Sequence, residues 1–371
     1  MLQLLPLPAL WLLFYLVGQL SARRPIEIRQ YVIATVSLVL LFFAIDAKTF
    51  AFFVGLGLVI VALGLWLQSA KAPTVRKTLC FASIIGVTLL IAISLSYRSY
   101  IQKYFVLLPS LSYLGFRGIA YLVSAYSFRT ATFASGLMQM FFLPMLFMGP
   151  ISRVENFQQE NYDPKEVLWR LAKGFPMLIA ARLIDPFVLE RISSLQGVPW
   201  WEFWFGAVGN SFQFYFMFAG YSHLIIGLGL LAGFKLPENF NNPYAATSIG
   251  DFWRRWHMSL SFWIRDYVYI PLGGNRKGIL RKCLNLLLAM GIIGVWHGLE
   301  WHYLLWGLLH GALLAAESLM EYKNWHPLRS LTGPAYAPVK VALVFTLITF
   351  SWLLFKYDMP DFIAYMRGLI P

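Results

Sequence analysis

The 371 residues are 59% hydrophobic and only 13% charged, where a soluble domain carries about 25% charged residues. A chain this apolar cannot cover a water-facing surface with polar groups, so composition excludes a soluble globular protein, whereas a bilayer removes the requirement and suits the 31 Phe, 19 Tyr and 14 Trp. The formal charge of +13 reads as loop charge obeying the positive-inside rule, helped by anionic lipid headgroups, and not as a nucleic-acid face, because no soluble domain presents one.

A spanning helix needs about 20 apolar residues. Apolar segments run near 4–20, 31–47, 49–68, 79–96, 104–126, 134–151, 167–184, 201–218, 220–234, 281–297, 300–318 and 336–355. Some are short enough to be tilted or re-entrant, so about ten to twelve helices are expected. The first segment lacks a basic n-region and an A-x-A cleavage pattern, so it reads as a first span and not as a removed signal peptide. Arg23, Arg24 and Arg29 fall between the first two segments, and Lys71, Arg76 and Lys77 between the third and fourth. The intervening connection has only Asp46 and Lys48. That asymmetry places 21–30 and 69–78 in the cytoplasm and the N-terminus outside.

Through the middle of the chain, Pro109, Arg117, Pro144, Gly149-Pro150, Arg153, Pro176, Arg182 and Asp185 interrupt apolar stretches. Charges and helix breakers at membrane depth are tolerated only inside protein or beside a water-filled cavity. The expected fold is therefore all-α: one polytopic transmembrane bundle, residues 1–371, enclosing a funnel or tunnel. No internal repeat or linker marks a second domain. Cys80 and Cys283 lack CxxC spacing and read as buried, reduced thiols.

The most polar stretch is 248–278, SIGDFWRRWHMSLSFWIRDYVYIPLGGNRKG. Ser248 suits an N-cap with Asp251 three residues on. At helical spacing Trp253, His257, Leu260, Ser261 and Ile264 make one stripe. Asp251 is placed to pair with Arg254 or Arg255, and Pro271-Leu-Gly-Gly ends the element. After a basic patch (Arg276, Lys277, Arg281, Lys282), an apolar run ends in GVWHG at 294–298. An ionisable group is expensive there, so His297 reads as functional. His257 reads likewise, as imidazoles in aromatic and glycine-rich surroundings suit proton transfer near neutral pH. His310 is evenly balanced between function and packing, while His223, His302 and His326 read as hydrogen-bonded packing residues. With 40 residues between His257 and His297, and no carboxylate-and-histidine set on one helix face, no metal site is expected.

The string DFWRRWHMSLSFWIRDYVYIPLGGNRKG, with FAGYSHLIIGLGLLAGFKLPENFNNPY before it and GVWHG after it, closely resembles the MBOAT (membrane-bound O-acyltransferase) family. The branch it resembles holds the alginate O-acetylation membrane protein and the D-alanyl export protein of teichoic acid D-alanylation. SYLGFRGIAYLVSAY at 112–126 and FFLPMLFMGPISRVENF at 141–157 extend the likeness to about residues 105–320, whereas 1–104 match only as apolar spans. The resemblance implies a catalytic His at His297 in the W-H-G motif, a second at His257, and a further branch His at His310. It also implies a multi-pass plasma (inner) membrane protein that moves an acyl group to hydroxyls of an extracytoplasmic polysaccharide.

Acyl transfer from a thioester needs a base for the hydroxyl proton and a group to hold the oxyanion. His297 is assigned as base, His257 as orienting group or proton shuttle, and His310 to the surrounding support. Arg254 and Arg255 are candidates for the phosphates of the donor, acetyl-CoA or an acyl-phosphopantetheine carrier protein. Trp253, Trp256 and Trp263 are expected to line or pack the funnel. No bound cofactor is expected; the expected partners are the cytoplasmic donor, membrane lipid and an extracytoplasmic acyltransferase, with no nucleic acid. The rival readings are a transporter, which predicts repeats that the sequence lacks, a scaffold that passes the acyl group to a partner enzyme, and an enzyme that acylates lipid or protein.

Overall fold

The computed structural model describes residues 7–96, 108–127, 131–146, 148–157, 163–192, 200–325, 336–360 and 362–363. Among them the protein is all-α, with thirteen α-helices and no strand. They are α1 (Leu7–Ser21), α2 (Ile26–Ala44), α3 (Ala47–Ser69), α4 (Pro73–Ser96), α5 (Leu108–Ser127), α6 (Phe133–Phe141), α7 (Pro164–Ile192), α8 (Trp200–Leu231), α9 (Ile249–Trp253), α10 (Met258–Ile264), α11 (Gly278–His297), α12 (Trp301–Tyr322) and α13 (Ala337–Lys356). Six of them (α2, α3, α8, α11, α12 and α13) are long and apolar enough to cross a bilayer. The chain is a multi-pass membrane protein.

Three expected segments differ. The apolar runs 201–218 and 220–234 form one helix, α8, of 32 residues. Gly220 costs a helix only about 1 kcal/mol, and in lipid every backbone group it would free needs an internal partner. Conversely, 134–151 does not span: α6 stops at Phe141, a 3₁₀ turn follows over Leu143–Met145, and Gly149 sits at φ 128. Pro144 removes the donor that the next turn needs.

The chain divides into two compact units, Met1–Gly174 with Tyr221–Pro237, and Phe175–Gly220 with Glu238–Pro371. In the first, the Asp46 carboxylate caps α3 by accepting from Thr49 N at 3.0 Å. Arg117, fully buried in α5, donates to Met140 O at 3.2 Å, and Gln139 ties α6 to Ser152 O at 2.8 Å. Arg29 is a correction to the loop-charge reading. It lies inside α2, only 3% exposed, with its guanidinium against Gly233, where φ is 85 and a Cβ would collide with it. The basic charge described in the first connection is therefore Arg23 and Arg24. Arg182, expected at membrane depth, has a side chain 87% exposed.

In the second unit α11 and α12 form an antiparallel hairpin. Gly294 lies against the Tyr303 carbonyl and Gly307 against the Met290 carbonyl, while a Cβ on Gly311 would meet Leu287 Cα at 2.8 Å. Small residues that let backbones meet are the usual device for packing helices in lipid. Residues 271–278 are looped around fixed points: Gly273, Gly274 and Gly278 have φ of 109, 53 and 82, and the buried Asn285 donates to Gly274 O at 3.1 Å.

Candidate active site

The polar stretch at 248–278 starts as expected. Ser248 Oγ accepts from Asp251 N at 3.1 Å, and Gly250 N donates to Glu317 Oε2 of α12 at 3.0 Å, docking the N-terminus of α9. The single helical stripe from Trp253 to Ile264 does not form. The helix breaks after Trp253, and His257 takes the left-handed conformation (φ 41, ψ 52) before α10 begins. The reason is competition for the ladder. Residues 239–241 run alongside and claim its groups: Asn241 N donates to Arg255 O at 3.0 Å, and Met258 N donates to Asn239 O at 2.9 Å.

The break turns Trp253 and His257 toward different neighbours. His257 is 3% exposed, edge-on to Phe218 at 4.7 Å and 6.3 Å from the Trp296 ring. Its Nε2 is buried with no hydrogen-bond partner among the described residues. Burial, and secondarily the nearby His297 imidazole, push its pKa well below the usual histidine range, so it is neutral. His297, the last residue of α11, is half-buried. Its ring lies 4.4 Å from Trp296, 4.8 Å from Phe355 and 5.6 Å from Trp306. The two histidines thus share Trp296 as a ring neighbour, one sealed and one partly open.

His310 is fully buried in α12. Its Nδ1 accepts from the Trp253 indole N–H at 3.3 Å, and Nε2 lies 3.0 Å from Ser351 Oγ. The Ser351 hydroxyl donates to Ile348 O at 2.7 Å. Since the indole is donor-only, the tautomer follows: His310 is neutral with its proton on Nε2. Both nitrogens are committed to structure. Replacing His310 with Phe should therefore strand the Trp253 N–H and cost about 1–3 kcal/mol, lowering the thermal midpoint in detergent while activity per folded protein persists. Activity lost with an unchanged midpoint would show that His310 does more than support.

Asp251 accepts from Arg255 Nε at 2.9 Å and lies 3.6 Å from Arg254 Nη2. Arg255 is 31% exposed and Arg254 69%, so the pair is split between a held guanidinium and an open one. Trp253 and Trp256 are buried, Trp256 against Trp352 at 4.9 Å and Trp253 against Trp306 at 5.9 Å. Trp263 is buried on Tyr267. Among the remaining histidines, His302 is buried on Tyr303 at 4.0 Å. In the first unit Arg170 donates to His223 Nδ1 at 3.2 Å and to Glu166 at 2.8 Å, a hydrogen-bonded packing role. His326 lies outside the described residues. Among the described residues no three His, Cys, Asp or Glu side chains converge as a metal site.

A family model for MBOAT, membrane-bound O-acyltransferases, matches residues 168–357. The chain belongs to the membrane-bound O-acyltransferase family. The match takes in α9 to α13 and every site residue above, and it is the family read from the sequence. A probable alginate O-acetylase of Pseudomonas putida is 35% identical over 274 residues, covering 71% of this chain and 55% of its own length. A peptidoglycan O-acetyltransferase of Helicobacter pylori is 37% identical over 185 residues, covering 50% of this chain and 34% of the relative. A teichoic acid D-alanyltransferase of Bacillus subtilis is 27% identical over 279 residues, covering 66% and 68%. The chain spans about half the length of the alginate O-acetylases it matches.

Contributors to the site unassigned in the sequence include Phe218, Asn239, Trp306, Ser351, Trp352 and Phe355. Trp306, Ser351 and Phe355 reach it from α12 and α13, and no local pattern marks them. Asn239 had a signal, the Asn- and Pro-rich stretch PENFNNPY at 237–244.

Proposed function

We propose that the protein is an O-acyltransferase that carries an acyl group from a cytoplasmic thioester to hydroxyls of an extracytoplasmic polysaccharide. The observation that carries this is that His257 and His297 share one ring neighbour, Trp296, at 6.3 and 4.4 Å. His297, the partly open one of the two, takes the proton of the acceptor hydroxyl as its oxygen attacks the thioester carbonyl. The new C–O bond forms, the C–S bond breaks, and the proton passes to the departing thiolate. His257, held neutral with Nε2 unengaged, orients the acceptor or relays its proton. Acetyl is the acyl group we favour, because the relatives named as O-acetylating enzymes are 35% and 37% identical and the D-alanyltransferase 27%.

Donor phosphates, whether of CoA or of a carrier's phosphopantetheine, fit Arg254 better than Arg255, which Asp251 already engages at 2.9 Å. Arg254→Ala is expected to raise the apparent KM for the donor with little change in kcat, as removal of a ground-state contact does, while Arg255→Ala lowers stability. Initial rates across donor concentrations and thermal midpoints separate the two; equal loss of kcat and kcat/KM in Arg254→Ala would refute the phosphate role. The membrane we favour is the inner one, and Arg23, Arg24, Lys71, Arg76 and Lys77 support an orientation with 21–24 and 69–78 cytoplasmic. Ready labelling of a cysteine at position 24 from outside intact cells would reverse that orientation. The activity itself is tested by mass spectrometry of envelope polysaccharide from cells with and without the protein. Loss of an acetyl ester is the expected result; loss of D-alanyl ester changes the acyl group, and no lost ester sinks the proposal.

A further inference from the structure

His257 holds a conformation that a side-chain-bearing residue adopts only at a cost of roughly 1–2 kcal/mol. Such strain persists where the surroundings over-determine it. The surroundings here are one short strap, residues 239–241, fastened on both sides of the imidazole. Before it, Asn241 N donates to Arg255 O at 3.0 Å, and Arg255 Nη1 returns a bond to Asn241 O at 3.4 Å. After it, Asn239 acts twice: its carbonyl accepts from Met258 N at 2.9 Å, and its side-chain Oδ1 accepts from Ser259 Oγ at 2.6 Å. Asn239 is fully buried and Ser259 is 4% exposed, so water does not compete for these bonds. Phe240, between the two fastenings, packs edge-on to Phe218 at 5.0 Å, and Phe218 in turn is edge-on to His257 at 4.7 Å.

We propose that Asn239 is a positioning residue that acts through His257, its side-chain bond to Ser259 holding the left-handed turn that aims the imidazole. The inference rests on the proposed role of His257 in acyl transfer. A short polar side chain is required: its backbone must stay beside Met258 while its amide oxygen reaches one residue further. Loss of the bond lets residues 257–259 relax toward an ordinary helical turn, and a displacement of about 1 Å at a reacting group can cost on the order of 10²-fold in rate.

The test is the rate of ester accumulation in envelope polysaccharide, per folded protein by fluorescence size exclusion, in cells carrying single variants. Asn239→Ala and Ser259→Ala are expected to fall at least tenfold, on the way to that limit. Ser259→Thr, which keeps the hydroxyl, retains most of the rate. Ser211→Ala is the control. It removes an equally buried bond in the same unit, Ser211 Oγ to Thr349 Oγ1 at 3.1 Å, and should leave the rate per folded protein unchanged. Should Asn239→Ala fail to fold, Ser259→Ala carries the measurement, because the strap keeps its backbone bonds. Wild-type rates in the strap variants with His257→Ala impaired would overturn the positioning role alone. Equal loss in Ser211→Ala would reduce Asn239 to general stability, and a wild-type rate in His257→Ala would remove the role of His257 itself.

Discussion

Replacing His297 with alanine is expected to lower the acyl-transfer rate by on the order of 10² to 10⁴ while the protein inserts and stays monodisperse. That range is the usual contribution of a positioned base, and the other two buried histidines of the site are poorly placed to substitute. His257 is sealed at 3% exposure, and His310 has both nitrogens occupied by Trp253 and Ser351. A packing role predicts a different outcome, since loss of one buried hydrogen bond costs only about 1–3 kcal/mol of stability. Rate and thermal midpoint measured on the same purified variant separate them. A variant that keeps more than about a tenth of the wild-type rate would be too active for a missing base.

His257 carries the second large effect, and its backbone makes the test sharper. Alanine and glycine at 257 both remove the imidazole, and both should reduce the rate strongly, though less than His297→Ala. They should differ in stability. At φ 41 a Cβ strains the chain and glycine does not, so His257→Gly should unfold above His257→Ala, by roughly 1 kcal/mol. Inactive glycine and alanine variants with that order of midpoints would show that the protein tolerates backbone strain to hold a functional side chain. A fully active glycine variant would mean that the turn, and not the imidazole, is what matters there.

Much of this was legible in the residues. The Ser248 cap, the Asp251–Arg255 pair and the end of the polar segment near Pro271 are interactions within four residues or a single breaker, and they form as expected. His297 stood out because an ionisable group closes an apolar run. What misled was also local: the spacing of Trp253 and His257 is helical, and nothing within that stretch says that the ladder will break. Gly220 and Pro144 show the same limit from opposite sides. One breaker is absorbed inside an apolar helix, and the other ends one.

The sequence alone determined that the chain is a multi-pass, all-α membrane protein, which family it belongs to, and which histidine ends the W-H-G run. Hydropathy, capping and motif spacing act over a few residues, and lipid leaves a backbone no choice but to satisfy itself. Tertiary structure decided the rest: the burial of Arg29 against Gly233, the break before His257, and the tautomer of His310. Those depend on groups far apart in the chain. Asn239 meets Ser259 across 20 residues, His310 meets Ser351 across 41, and Trp253 meets His310 across 57. A backbone donor already claimed by a distant carbonyl is no longer available to its own helix. That competition is settled only once the helices have packed.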